Sequence, residues 1–270
     1  MDSFSENGYM ITDFNQSGYL LEIQEIITDT FSCNPLLIHK TDIDSHQRLL
    51  FMKKAKDIIL KKQLIKKFLL DNLDSFTQMM GSDIDVQSDI HLRVSRPNIE
   101  SDFIDWHRDT FYGNSLWEIN VWIPIFPLET GAGLMLIPGS HLRSGNNVRT
   151  IQDENSFRKT VTKGSLANEL GYTYASKTDD LITAEAPTCD TLLTPKFGQG
   201  IIFSGHTAHR ACNNSSSTRI SIDFRLKHML AETNTKSGYY QPLIRSFITN
   251  CIERMIEVNH VSDGLIKEGV

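Results

Sequence analysis

Gly200-Ile201-Ile202-Phe203-Ser204, then Gly205-His206-Thr207-Ala208-His209-Arg210, then Arg219-Ile220-Ser221-Ile222-Asp223-Phe224-Arg225 is the stretch that decides how this chain reads. The first run is apolar and partly β-branched, as a buried strand requires. The last alternates polar and apolar residues with a period of two, which puts Arg219, Ser221 and Asp223 on one face of a strand. Two histidines lie just after the first strand, and Arg219 follows His209 by ten residues. The pattern is a β core with chemistry-bearing side chains on its strands and strand ends.

Upstream, Trp106-His107-Arg108-Asp109-Thr110 contains His-x-Asp. In an extended segment residues two apart share a face, so the imidazole of His107 and the carboxylate of Asp109 converge on one point. One further histidine, His209 or His206, completes a two-histidine, one-carboxylate triad that leaves metal positions open, the arrangement of non-haem Fe(II) oxygenases. The open positions have a use, because a 2-oxo acid and then O2 must both reach the iron. A three-residue pattern is common by chance, and a surface pair is its ordinary reading; the later histidines and Arg219 sharpen it. Arg219 is a planar, permanently charged fork suited to a carboxylate. Buried opposite a metal, it needs an anion. The far carboxylate of 2-oxoglutarate is one candidate, with Ser221 as a second donor. Asp223, on the same face, is the other.

Around this centre, Gly8 to Thr12 reads as a strand, and a helix follows to about Phe31 with Leu20, Ile23 and Ile27 inward. Residues from about 45 to 80 read as helical in two pieces. Their lysines, Lys53, Lys54, Lys56, Lys61, Lys62, Lys66 and Lys67, suit a solvated face better than a docking face, because apolar positions interrupt them regularly. Short strands are expected near 90–95, 117–124 and 133–138. Residues about 142–190 read as a long polar, lid-like insertion. An apolar helix is expected over about 242–258, either closing the core or pairing two subunits. The whole of 1–270 is read as one domain: a helical layer over about 15–80, a β core over about 89–228, and the closing helix.

Composition agrees with an enzyme-sized globular chain. It has 270 residues, 40% hydrophobic, with a formal net charge of −6. A modestly acidic chain is a poor nucleic-acid binder. No run of about 20 apolar residues offers a membrane span. Cys33, Cys189, Cys212 and Cys251 are scattered and form no CxxC pair. A cytoplasmic setting, a small-molecule substrate and a monomer or homodimer are the expectations.

Taken together, the motifs resemble the phytanoyl-CoA hydroxylase-type (PhyH-like) branch of the Fe(II)/2-oxoglutarate oxygenases. The matching pieces are Asn7-Gly8-Tyr9, Trp106 through Gly113, Asn120-Val121-Trp122-Ile123-Pro124, Gly133 through His141, and Gly198 through Arg225. The resemblance implies a mainly β fold with flanking α: a double-stranded β-helix, the cupin-like jelly roll, with N-terminal and C-terminal helices. It implies Fe(II) held by His107, Asp109 and a histidine near the penultimate core strand, with His209 closer to the family spacing and His206 the alternative. It also implies 2-oxoglutarate bound by Arg219 and Ser221, with Asn120 as an inward polar residue near the cosubstrate. His141 is read as part of a structural turn, and Tyr112 and Arg93 as candidates for the pocket wall.

The reaction so implied consumes O2 and 2-oxoglutarate, releases succinate and CO2, and hydroxylates a small polar biosynthetic intermediate. Related halogenases carry a small residue in place of the carboxylate, and Asp109 is intact. Arg149, Arg158 and Lys163 in the insertion are candidates to meet an anionic substrate. Two other classes stay in view: a cupin-like metal-binding isomerase, and a non-catalytic protein that binds 2-oxoglutarate or another ligand.

Overall fold

Strict alternation along two strands builds the centre of the molecule. In the computed structural model, which describes residues 2–15, 18–99, 102–104, 106–112, 114–143, 189–233, 235 and 238–256, these are β4 (Glu118–Pro124) and β9 (Arg219–His228). They pair antiparallel, with Asn120 opposite Arg225 and Trp122 opposite Asp223. Ile119, Val121 and Ile123 of β4, with Ile220, Ile222, Phe224 and Leu226 of β9, enter one apolar cluster. Their neighbours Asn120, Trp122, Arg219, Asp223 and Arg225 line a cavity on the opposite face. Every residue of β4 is buried. Both faces of this sheet are therefore covered, one by apolar packing and one by the rest of the barrel.

The large sheet runs in the order β1-β7-β4-β9-β2-β10, with β3 also on β9. β1 is Tyr9–Asp13, β2 Ile84–Gln87, β3 His91–Ser95, β7 Gln199–Ser204 and β10 Tyr240–Ile244. A second sheet of three strands, β6-β5-β8, consists of Thr191–Leu193, Ala132–Leu136 and His209–Asn213. Trp122, Ile201 and Phe203 of the large sheet meet Leu134, Leu136 and Leu193 of the small one in a shared cluster. Two antiparallel sheets closing over one interior are the jelly roll the motifs imply.

Helices cover the outer face of the large sheet. After α1 (Asp2–Asn7), α2 (Gly18–Phe31) contributes Leu20, Ile23 and Ile27, spaced for one face. The lysine-rich region forms three helices, not two: α3 (Ser45–Lys61), α4 (Leu64–Asp71) and α5 (Leu73–Met80). Asp44 caps α3 in a reciprocal capping box with Gln47. Gln63 at φ 55° and Asn72 separate the pieces. Lys53, Lys54, Lys61 and Lys62 are exposed. Phe68 and Phe76 carry α4 and α5 into the core, where Phe14 meets Phe68 edge-on at 5.0 Å.

The C-terminal helix differs from its expected form. Residues 240–244 are a strand, and the helix spans only 247–256. Pro242, which suggests a helix start, sits at a register shift in an edge strand, where proline is tolerated. β10 pairs with β2, and Arg245 then ties to Asp85 at 2.6 Å. Leu243 is buried, but Phe247, Ile248, Ile252 and Met255 are exposed, so this helix does not close the core. Most of the insertion, with Arg149, Arg158 and Lys163, lies outside the described residues. Among the described residues no helix is long and apolar enough to cross a membrane.

Candidate metal and cosubstrate site

His107 and His209 meet through their backbones. His107 N–H donates to His209 C=O at 3.0 Å, and His209 N–H donates back to His107 C=O at 2.9 Å. This single antiparallel bridge sets the two residues opposite each other, with imidazole centroids 4.2 Å apart. Asp109 opens a short 3-10 helix, Asp109–Tyr112, and its N–H is held by Gly205 C=O at 2.9 Å. The His-x-Asp segment is thus not a regular strand. His107 is fixed by the bridge, Asp109 by the turn after β7. Between them Arg108 is buried and donates to Ser140 C=O at 2.5 Å and His206 C=O at 2.7 Å, which secures the segment from behind.

Three donors converge. Asp109 Oδ1 lies 3.4 Å from His107 Nε2 and 3.9 Å from His209 Nε2. One ligand atom from each of the three residues falls within 4.8 Å of the others, and no second such group occurs among the described residues. His209 Nδ1–H donates to Thr207 C=O at 2.9 Å, which leaves the Nε2 lone pair free. Burial, then the neighbouring His107, pushes the His209 imidazole down to about 3, so it is neutral at pH 7. Burial alone would raise the Asp109 carboxyl, but the Arg225 guanidinium and the hydrogen bond to His107 hold it well below the usual range. An ionised carboxylate with two imidazoles, one fixed as a neutral donor, is the donor set a divalent transition metal takes.

The same cavity holds Arg219. It is 3% exposed and has no acid partner among the described residues. One nitrogen of the fork donates to Gly133 C=O at 2.6 Å and the other to Ser95 Oγ at 2.8 Å, while Nε, like the buried Ser221 Oγ, has no hydrogen-bond partner among the described residues. Burial pulls this guanidinium down to about 10. Asp223 is not its counter-ion, because Arg93 claims both Asp223 oxygens at 2.8 and 3.2 Å. A buried cation with one donor unused among the described residues fits a carboxylate guest; Ser221, two residues along the strand, is not among the residues that line the cavity. Trp122, Leu134, Phe203 and Ile104 supply apolar wall.

The other sequence candidates separate cleanly. Asn120 lines the cavity, but its Nδ2 donates to Asp109 Oδ2 at 2.8 Å, so it braces the carboxylate. His206 is not in the cluster. Its Nδ1 is 2.7 Å from Thr110 Oγ1 and its Nε2 3.2 Å from Arg143 C=O. His141 packs at the N-terminus, with Nε2 3.1 Å from Ser5 C=O. Its ring is so close to Gly8, at φ 80°, that a Cβ there would sit 2.5 Å from Nδ1. Arg93 lines the cavity; the side chain of Tyr112 is outside the described part.

Sequence reasoning missed Arg225 and the acids and phenols behind it. Arg225 is buried and reaches Asp109 Oδ2 at 2.7 Å and Glu118 Oε1 at 3.3 Å. Asn114 donates to Glu118 at 2.6 Å and Tyr240 O–H donates to its other oxygen. Burial, opposed by Arg225, raises the Glu118 carboxyl to about 7. The signal was present: the polar alternation that singles out Arg219 and Ser221 continues to Arg225 and Lys227.

The model of the phytanoyl-CoA dioxygenase (PhyH) family matches residues 25–221. Among solved structures, the non-heme monooxygenase ThoJ as a nickel complex superposes with a TM-score of 0.55 at 13% identity, over 91% of this chain and 83% of its own. The non-heme alpha ketoglutarate dependent epimerase SnoN from nogalamycin biosynthesis gives 0.51 at 11%, over 91% and 95%. SnoN in complex with Fe3+, alpha ketoglutarate and nogalamycin RO gives 0.51 at 14%, over 88% and 85%. At such identities the likeness is one of fold. No curated protein matches the sequence.

Proposed function

Because the chain belongs to the phytanoyl-CoA dioxygenase family, we propose that it is an Fe(II)- and 2-oxoglutarate-dependent oxygenase that hydroxylates a small polar molecule. His107, Asp109 and His209 are its metal ligands, and Arg219 with Ser221 receives the far carboxylate of 2-oxoglutarate. The observation that carries this is the pairing, in one cavity, of a three-donor cluster with a buried arginine that has no acid partner among the described residues. SnoN, of like fold, holds Fe3+ and alpha ketoglutarate, which supports the same pair here.

Iron and 2-oxoglutarate, when bound, supply the O2-dependent oxidation and its by-products, succinate and CO2. The protein supplies placement. His209, kept neutral and held by Thr207, presents Nε2 without competition from a proton. Asp109 supplies the one negative charge of the donor set. Arg219 anchors an anion at a fixed distance from that set, and the apolar wall of Trp122, Leu134 and Phe203 keeps water from sharing the space. Arg93, Asp102 and Asp223 on the same wall suit a polar substrate. The carboxylate of Asp109 argues for hydroxylation over halogenation. Arg219 argues against a cupin-like isomerase, which has no use for a dicarboxylate receptor.

The test is anaerobic reconstitution with Fe(II) and 2-oxoglutarate, then exposure to O2 with a panel of small polar substrates. Succinate is expected to form, and to be lost in His107→Ala and Asp109→Ala. Isomerisation without succinate would favour the cupin-like reading. Tight 2-oxoglutarate binding with no turnover of any substrate would favour a sensor.

A further inference from the structure

The two oxygens of Asp109 stand in unlike surroundings. Oδ1 faces the Nε2 atoms of His107 and His209. Oδ2 accepts from Arg225 Nε at 3.0 Å, from a second Arg225 nitrogen at 2.7 Å and from Asn120 Nδ2 at 2.8 Å. That is one donor more than the oxygen has lone pairs. We propose that Arg225, with Asn120, is a positioning residue that withholds Asp109 Oδ2 from the metal, so that Asp109 serves as a one-oxygen ligand through Oδ1.

The proposal rests on the metal-site reading above and adds how the site keeps room for its cosubstrate. A carboxylate binds a cation through one oxygen or two. If Asp109 swung to use both, it would take a position that the chelating 2-oxo acid needs. Opposing that swing is a guanidinium that is itself immobilised. Its remaining nitrogen lies 3.2 Å from Gln87 Oε1, 2.9 Å from His91 Nε2 and 3.2 Å from the Tyr239 hydroxyl, while Nε also faces Glu118. These partners come from β2, β3, β4 and the residue before β10, so Arg225 cannot follow a rotating carboxylate without breaking contacts in four places. The register does the rest. Asn120 and Arg225 are direct cross-strand partners on β4 and β9, which aims both at one oxygen.

The experiment reads the metal, not turnover. Apo-protein is titrated anaerobically with Co(II), with affinity taken from chelator competition and ligand geometry from the visible d–d bands. Native protein, Arg225→Gln, Arg225→Lys and Asn120→Ala are compared, with circular dichroism on each. Arg225→Gln and Asn120→Ala are expected to bind Co(II) about 10- to 100-fold more weakly with altered d–d bands, and Arg225→Lys to recover part of both. A purely structural role would lower the melting temperature and leave the bands of the folded protein unchanged. Should Arg225→Gln not fold, Arg225→Lys and Asn120→Ala decide. Folded variants with native affinity and native bands overturn the inference while the metal site stands. Native protein that binds no Co(II), or a His107→Ala variant that binds it as native does, sinks the site itself.

Discussion

Replacing Arg219 with methionine is expected to make the ligand-free protein no less stable while abolishing its response to 2-oxoglutarate. Burial draws the Arg219 guanidinium from 12.5 to about 10. At pH 7 it is charged both folded and unfolded, so the shift is a folding penalty of about 3 kcal/mol. Against it stand hydrogen bonds to Gly133 C=O at 2.6 Å and Ser95 Oγ at 2.8 Å, each a net contribution of about 1 kcal/mol. Methionine of similar length removes penalty and bonds together but leaves the Gly133 carbonyl and the Ser95 hydroxyl in need of other partners, so the net gain is at most about 1 kcal/mol. The native protein, saturated with 2-oxoglutarate at about 100 times its Kd, should gain about 2.7 kcal/mol; the variant should gain none. Urea unfolding of the Co(II) form under nitrogen, with and without 2-oxoglutarate, measures both quantities. A variant that loses more than about 2 kcal/mol without ligand, or that keeps the ligand-dependent gain, would refute the view of Arg219 as an anion receptor.

Three further outcomes follow from the same geometry. His209→Ala should lose stoichiometric metal in elemental analysis and His206→Ala should keep it, since only His209 joins the donor cluster; the reverse would move the third ligand. Glu118→Gln tests the buried acid: its folded carboxyl lies near 7 against an ordinary 4.5, so the fold holds a proton the unfolded chain has released, and native stability falls as pH rises between those values. The variant lacks that loss, and its stability relative to native should climb by roughly 3 kcal/mol between pH 5 and 8; a flat difference in urea titrations would count against the assignment. Gly133→Ala should cost about 2–3 kcal/mol or more, because its Cβ would stand 2.1 Å from Leu193 C=O and force β6 off β5; a melting temperature within a few degrees of native would contradict this.

Much of the architecture is legible in local pattern. The period of two in Arg219 through Arg225 and in Glu118 through Pro124 separates a helix-facing from a cavity-facing side of the large sheet, and the structure puts Ile119, Val121, Ile123, Ile220, Ile222 and Phe224 in the core and Asn120, Trp122, Arg219, Asp223 and Arg225 on the cavity. Leu20, Ile23 and Ile27 mark α2 as plainly. Where pattern misleads, a tertiary reason is visible. Residues from Pro242 onward read as the start of an apolar helix, yet β2 offers an open edge and residues 240–244 pair there instead. β2 itself is four residues long, too short for a periodicity to declare it.

The sequence by itself determined which residue types stand ready for the chemistry: His107 and Asp109 two apart, two histidines after a strand, and an arginine on the polar face of the next. Periodicity is a local property, so it survives in the linear chain. Only the tertiary structure decided the pairings. The backbone bridge from His107 brings His209, and not His206, beside it. Arg93, 130 residues away in sequence, takes Asp223 and leaves Arg219 without an acid among the described residues. Asn120 and Arg225 reach Asp109 because β4 and β9 align in one register. Register is set by the summed packing of both sheets and the helices, and no short stretch of sequence contains it.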